Sequence, residues 1–294
     1  MVVRFSGGLG NQMFQYAFLL SLQYRFPQKT IEGDLGDYEV LEHHNGYELE
    51  KIFGIKIPLC SDFEKERHKI NMSLPYRVLR KIGLKNVGYP KRIMDPERGF
   101  DEEFINSLSD QDFLWGYWQD EKYFKDIKND ILKEFTFPVI KKEDEKNYEI
   151  KKIIESENSV SLHVRRGDYL LETEYISLCE SDYYQKAIQE MKEKVKEPYW
   201  FVFSDDINWC RKNLTLGTNA CYVEHNTGQN SFRDMQLMSL CKHNIIANST
   251  FSWWGAWLNI NSEKVVICPE QFYKDNEGFN KNIVCDGWKT ITIS

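Results

Sequence analysis

Long apolar runs are missing from this 294-residue sequence, and no stretch is long enough to cross a bilayer. Positive charge is in short supply: 38 Lys and Arg stand against 45 Asp and Glu, for a net charge of −7. That balance argues against general nucleic-acid binding, which needs a basic footprint. Cysteine occurs seven times, an odd number, with no Cys-x-x-Cys pair. Neither a disulfide framework nor a zinc site is indicated, and the thiols read as buried side chains. The opening MVVRFSGGLG lacks the charged head, apolar middle and small-residue cleavage site of a secretion signal, so the cytoplasm is the expected compartment. Internal repeats and low-complexity tracts are also absent.

What is present is a soluble globular composition, 41% hydrophobic and 28% charged, in a chain longer than one core usually organises. Two domains are expected, 1–150 and 151–294, with the charged helix KKEDEKNYEIKKIIESE linking the halves. The chain opens with the strand VVRF, the turn SGGLGN and a helical run from Gln12 to Tyr24, the first unit of an α/β fold. A buried strand is expected at Phe113–Trp118. In the second half, strand-like runs at Val160–Val164, Trp200–Phe203, Ala220–Val223, Asn244–Ala247 and Val265–Cys268 alternate with helical runs. That alternation implies a parallel sheet covered on both faces. The expected fold is α/β, two Rossmann-like domains facing across a cleft, with ligands beyond the carboxyl ends of the strands. One segment departs from the overall acidity: residues 67–92 hold eight Lys or Arg and no Asp or Glu. Its LPYRVLRKIGL stretch reads as a helix with Arg77, Arg80 and Lys81 opposite an apolar face. It is either a solvated surface or a contact with anionic lipid headgroups.

The strand ends carry the chemistry. In SVSLHVRRGDY, an extended run puts Ser161, His163 and Arg165 on one face and delivers Arg165 to the strand tip, followed by Arg166. Guanidinium forks match phosphate oxygens; an ion-pair network that ties the loop down is the alternative. Gly167 permits a sharp turn, and Asp168 orients an arginine or caps the next segment. Arg166-Gly167-Asp168 also spells an adhesion tripeptide, which would require a secreted, exposed loop. In WFVFSDD, Ser204, Asp205 and Asp206 end the next strand. A shared metal is unnatural for adjacent aspartates on extended chain, so one is expected to cap a helix and the other to meet a ligand hydroxyl. In NIIANSTFSWWGAWLN, Asn248, Ser249 and Thr250 are N-cap types that open a helix whose N–H groups suit an anion. Trp253, Trp254 and Trp257 read as packing. Gly8 and Gly10 of the first turn, with Gln12 after them, permit close approach of backbone to phosphate. Two arginines, a helix N-terminus and a glycine turn together suggest a diphosphate bound without metal.

These segments, GGLGNQMFQYAF, HVRRGDY, FSDD and DMQLMSLCKHNIIANSTFSWWGAWLN, resemble those of the bacterial α-1,2-fucosyltransferases of glycosyltransferase family 11. They spread from residue 7 to 259. The resemblance implies a GT-B-like fold and GDP-fucose as donor substrate, with no divalent metal or other cofactor. It implies that His163 and Arg165 are the motif's histidine and phosphate-binding arginine. It further implies Asp234 on guanine, Ser249, Thr250 and Phe251 on phosphate and nucleoside, and Asn11 beside the fucosyl phosphate. A β-linked donor and an α-linked product imply inversion by one in-line displacement onto O2 of a terminal β-galactoside, in bacterial surface glycan synthesis. The departing GDP is the species that needs stabilisation. For the general base, Asp168, Glu172, Glu174, His43 and His44 stay open, as does a relay to the leaving phosphate steered by Asn11. The basic 67–92 segment suggests a lipid-linked acceptor and peripheral contact with the inner membrane face. A fucosyltransferase of another linkage and a catalytically inactive nucleotide-sugar-binding protein are the alternatives.

Overall fold

The computed structural model describes residues 1–40, 45–62, 64–65, 78, 92–96, 99–167, 175–274 and 277–293. The basic helix expected near 75–84 and the base candidates His43, His44, Asp168, Glu172 and Glu174 lie outside the described residues. The chain divides into two compact units, Met1–Thr136 and Phe137–Ser294. The division falls earlier than the expected 150/151. The helix at Glu145–Ser156 does not link the halves: its Tyr148, Ile150, Ile153 and Ile154 pack with Phe201 and Phe203 of the second unit.

In the first unit, β1 (Val2–Arg4), β2 (Glu32–Asp34), β3 (Arg92–Met94) and β4 (Phe113–Trp115) form a parallel sheet in the order β2-β1-β4-β3. Helix α1 (Leu9–Arg25) starts three residues before the expected Gln12, because Gly8 is extended and its carbonyl accepts from the backbone N–H groups of Asn11 and Gln12. Short helices α2 (Gly36–Val40), α3 (Leu49–Phe53), α4 (Glu102–Asn106) and α5 (Lys128–Glu134) complete the described unit. The strand expected at 113–118 stops at Trp115. A Cβ on Gly116 would sit 2.3 Å from that of Asp95, and Trp118 takes a positive φ of 57° while its N–H donates to Asp95. The chain therefore turns where Asp95 approaches, and the apolar run YW continues past the ladder.

The second unit opens with α6 (Glu145–Ser156) and is built on β5 (Ser159–Val164), β6 (Tyr199–Ser204), β7 (Ala220–Val223), β8 (His243–Ile245), β9 (Val266–Pro269) and β10 (Lys289–Ile291). All pairs are parallel, in the order β10-β9-β8-β5-β6-β7. The connecting helices are α7 (Tyr183–Lys194), α8 (Ile207–Asn213), α9 (Phe232–Leu240), α10 (Thr250–Trp257) and α11 (Glu277–Asn282). Five strands match the apolar runs. The edge strand β10 escapes them because only Ile291 of its three residues is buried.

Period-two alternation splits the core into two layers. Val160, Leu162, Val164, Trp200 and Val202 face the α7 side with Tyr183, Tyr184 and Met191. Phe201 and Phe203 face the α9 side with Leu237 and Met238. Full burial of each such side chain contributes about 1.5–3 kcal/mol. On the α9 side β5 presents Ser159, Ser161 and His163, and the two serines are each satisfied by a neighbour. Asn244 donates to Ser161 Oγ (2.8 Å) and to the Met238 carbonyl, and the Lys242 N–H donates to Ser159 Oγ (3.0 Å). Trp253, Trp254 and Trp257 are buried and in mutual ring contact, with Trp253 Nε1 donating to the Ile283 carbonyl, so these indoles are packing.

Candidate functional site

The order β8-β5-β6 puts a topological switch point between β5 and β8: β6 and β7 follow β5 to one side, β9 and β10 follow β8 to the other. Ligands of open α/β sheets bind beyond the carboxyl edge at such a point. Arg165 leaves β5 there, Asp205 and Asp206 follow β6, and Asn248 and Ser249 follow β8. Helix α9 crosses back from the edge strand β7 and packs beside α10 and α6, so the N-termini of α9 and α10 lie on this same edge.

The two aspartates after β6 hold the loop after β5. Asp205 accepts the backbone N–H groups of Arg166 (2.9 Å) and Gly167 (3.0 Å) and pairs with Arg165 Nη1 at 3.1 Å. Asp206 pairs with Arg166 Nη1 at 2.8 Å and caps α8 by accepting from the Trp209 N–H at 2.9 Å, and the Asp206 N–H donates to Ser204 Oγ. Asp206 is thus the expected cap. Asp205, expected to meet a ligand hydroxyl, is instead engaged by the loop. Gly167 is needed for close approach rather than for an unusual φ, because a Cβ there would lie 3.0 Å from Asp205 Oδ2. Arg166 pairs with Asp206 through Nη1 and lies beside the Trp209 ring. Both pairs are about a third exposed, so they are screened and worth at most about 1 kcal/mol each in stability.

His163 lies beneath this loop. Its ring is buried, with Nδ1 lacking a hydrogen-bond partner among the described residues, and it meets the Phe251 ring at 5.9 Å. Burial, and secondarily the Arg165 charge, push its pKa down to about 3. The imidazole is therefore neutral at physiological pH and a weak general base; it can donate or accept a hydrogen bond but cannot pair with phosphate as a cation. At the start of α10, Ser249 Oγ accepts from the Phe251 N–H. Asn248 turns its Nδ2 inward to the carbonyls of Ile176 (3.0 Å) and Phe272 (3.1 Å). Its amide nitrogen ties two loops together rather than facing a donor. Phe251 is partly buried against the Phe201–Phe203 layer, and Thr250 is partly exposed at the helix start.

Asp234 stands in the first turn of α9, partly exposed. Desolvation raises its pKa to about 7, opposed by a hydrogen bond from Asn226 Nδ2 to Oδ1 at 2.8 Å. Asn226 belongs to a pair that sequence reasoning missed. It exchanges two amide hydrogen bonds with Asn147 of α6, at 2.8 and 2.9 Å. The only hint in the sequence was asparagine inside a helix, where its propensity is poor.

In the first unit, Gly7 has φ 79°, and a Cβ there would sit 2.5 Å from Asn11 Nδ2. Asn11 Oδ1 accepts from Gln119 Nε2 at 2.8 Å, which presents Nδ2 as a donor with no partner among the described residues. Gln12, expected at the donor, is fully buried. Its Nε2 donates to the carbonyls of Gly7 (3.1 Å) and Gly46 (2.8 Å), and its Oε1 accepts from the Glu48 N–H (2.8 Å). Gly8 is the extended residue that precedes α1, and Gly10 is buried in its first turn.

Among the described residues no group of three His, Cys, Asp or Glu is placed to hold a metal ion, and no helix is long and apolar enough to cross a membrane. Comparison with known proteins gives consistent matches. Residues 96–292 match the family described as Glycosyl transferase family 11. The chain is 34% identical over 291 residues to an alpha-1,2-colitosyltransferase of Escherichia coli, covering 94% of this chain and 93% of that protein. It is 34% identical over 304 residues to the O-antigen biosynthesis glycosyltransferase WbnK of Escherichia coli, covering 96% and 97%. It is 27% identical over 270 residues to the galactoside 2-alpha-L-fucosyltransferase Sec1 of Mus musculus, covering 87% of this chain and 63% of that protein.

Proposed function

The chain belongs to glycosyl transferase family 11, and on that premise we propose that it transfers L-fucose from GDP-β-L-fucose to O2 of a terminal β-galactoside, forming an α-1,2 linkage in a bacterial surface glycan. The observation that carries this reading is the grouping of Arg165, the α10 N-terminus and Asp234 on one carboxyl edge at a sheet switch point. A guanidinium and helix N–H groups suit a pyrophosphate. A carboxylate suits guanine, whose base edge offers two adjacent N–H donors.

In the reaction the acceptor oxygen bonds to the anomeric carbon as the bond to the β-phosphate oxygen breaks. The electron pair leaves with GDP, and the acceptor's proton passes to a base. Arg165, aimed by Asp205, meets the charge that grows on the departing phosphate, and so stabilises the transition state more than the bound donor. The α10 N-terminus adds its dipole to the same phosphate. Asp205 and Asp206 act by holding the arginines rather than by touching the donor. His163 serves as a neutral hydrogen-bonding group behind Arg165. Asn11 Nδ2 is proposed as a further donor to the fucosyl phosphate. No divalent metal is needed where fixed cationic and N–H groups carry the charge. The acceptor is proposed to be lipid-linked, with the basic 67–92 segment meeting anionic headgroups.

A second reading has specific support: a relative of 34% identity is named for colitose, the 3-deoxy counterpart of fucose. Incubation with GDP-fucose or GDP-colitose and a panel of β-galactosides, followed by NMR of the product, tests both. The expected product carries α-fucose on O2 with the higher kcat/KM. A clear preference for GDP-colitose would move the assignment to that sugar. GDP binding without transfer would reduce the protein to a nucleotide-sugar binder.

A further inference from the structure

The amide pair behind Asp234 has a definite direction. Asn147 Nδ2 donates to both oxygens of Asp144 (3.0 Å each) and to Asn226 Oδ1 (2.8 Å). Asn147 Oδ1 accepts from Asn226 Nδ2 (2.9 Å) and meets His225 Nε2 at 2.9 Å. Asn226 Nδ2 spends its other hydrogen on Asp234 Oδ1 (2.8 Å). A carboxylate stands at each end of this chain, and carboxylates only accept. Flipping either amide would therefore bring a carbonyl oxygen against a carboxylate oxygen, so the orientation is locked. Asn147 is 2% exposed and Asn226 8%, so an unmade hydrogen bond here would be costly. The arrangement takes up Oδ1 of Asp234 and leaves Oδ2 with no hydrogen-bond partner among the described residues.

We propose that Asn226, braced by Asn147, is the positioning residue that turns the Asp234 carboxylate toward a purine base and sets selectivity for guanine over adenine. This rests on the Asp234–guanine contact proposed above. Guanine offers two N–H donors to a carboxylate, whereas adenine offers an acceptor and a donor and gains less. Hypoxanthine, with only the ring N–H, falls between them. Asn226 also favours the ionised form of Asp234, the form that accepts from guanine. The charged and titratable groups around the network are Asp144 just before α6, Lys146 on α6, Glu224 and His225 in the loop after β7 and Arg233 on α9. Arg233 Nε lies 3.5 Å from Asp144 and its Nη1 donates to the Pro138 carbonyl; no hydrogen bond or ion pair joins it to Asp234 among the described residues.

Calorimetric Kd values for GDP, IDP and ADP, taken from pH 6 to 9 on the full chain, test the proposal. The wild type is expected to rank GDP over IDP over ADP. Asn226→Ala is expected to weaken GDP about tenfold with ADP little changed, and to raise the pH below which GDP is lost. Asn226→Asp, isosteric but without the donated hydrogen, should raise that pH further, and it carries the test if the alanine variant does not fold. A purely structural asparagine would lower stability without altering the GDP-to-ADP ratio. Folded Asn226 variants with the wild-type ratio and pH midpoint would overturn the positioning role. Asp234→Asn separates the two levels: loss of GDP binding there, with normal Asn226 variants, refutes only the positioning. Unchanged GDP binding in Asp234→Asn refutes the guanine contact itself and this inference with it.

Discussion

Replacing Arg165 with lysine separates catalysis from folding. In the structure the guanidinium pairs with Asp205 through Nη1 at 3.1 Å, with the two side chains 31% and 23% exposed. An ion pair that exposed is screened, so its loss costs at most about 1 kcal/mol of stability, a fall in Tm of about 2–4 °C for a unit of this size. The catalytic cost is of another order. A lysine ammonium is a point charge and cannot bridge Asp205 and a phosphate with a planar fork. Removing one such donor from developing charge typically costs about 3–4 kcal/mol, a drop in kcat of about 10² to 10³. Initial rates of GDP release at saturating acceptor, with GDP-fucose varied, give kcat; a thermal melt of the same preparation gives stability. The expected result is a large loss of kcat beside a small shift in Tm. Turnover within about threefold of wild type, less than 1 kcal/mol of barrier, would refute the role of Arg165 at the leaving phosphate.

The proposed guanine contact of Asp234 should make GDP binding depend on pH. Burial raises its pKa to about 7, and in that contact guanine would bind the ionised form, so protons would compete with the nucleotide. Affinity should be flat above pH 8 and weaken by about tenfold per unit well below pH 7, and the dependence should vanish in Asp234→Asn. His163, held neutral down to about pH 3, should contribute no limb between pH 5 and 8. Gln12→Ala removes the partner of the Gly46 carbonyl and of the Glu48 N–H, while the Gly7 carbonyl keeps the Tyr38 hydroxyl, so chemical denaturation should show a loss of about 2–4 kcal/mol while GDP affinity is retained. A weakened GDP complex in a stable Gln12 variant would restore that residue to the donor site. EDTA is expected to leave turnover intact; activity lost to the chelator and restored only by added Mn²⁺ would contradict a site that works through arginine and helix N–H groups. Neutralising Arg77, Arg80 and Lys81 should reduce sedimentation with vesicles rich in anionic lipid, and unchanged partitioning would remove the membrane role of 67–92.

The parts of this protein that a linear reading recovers are those written in local pattern. β5, β6 and β8 are apolar runs, and the parallel sheet follows from their alternation with helices. The Arg165 tip and the Ser249 cap are likewise local, since a strand ends or a helix begins within a few residues of each. What escaped depends on distant partners. Gln12 reads as a donor-facing residue at the start of a helix until Gly46 and Glu48 arrive to bury it. Asp205 is tied to the 165–167 loop by the β5–β6 register, which pairs Val164 with Ser204. Asn147 and Asn226 are 79 residues apart and mean nothing singly. The early unit boundary has the same origin: α6 is charged along much of its length, and only its Tyr148, Ile150, Ile153 and Ile154 side chains show that it packs with the second sheet.

The central claim is that a nucleoside diphosphate lies along the carboxyl edge of the second sheet, pyrophosphate at Arg165 and the α10 N-terminus, base at Asp234. A crystal structure of the complex with GDP tests it most directly. The account predicts phosphate oxygens within hydrogen-bond distance of the Arg165 guanidinium and guanine N–H groups on the Asp234 carboxylate. Ordered GDP bound elsewhere on the protein would contradict it.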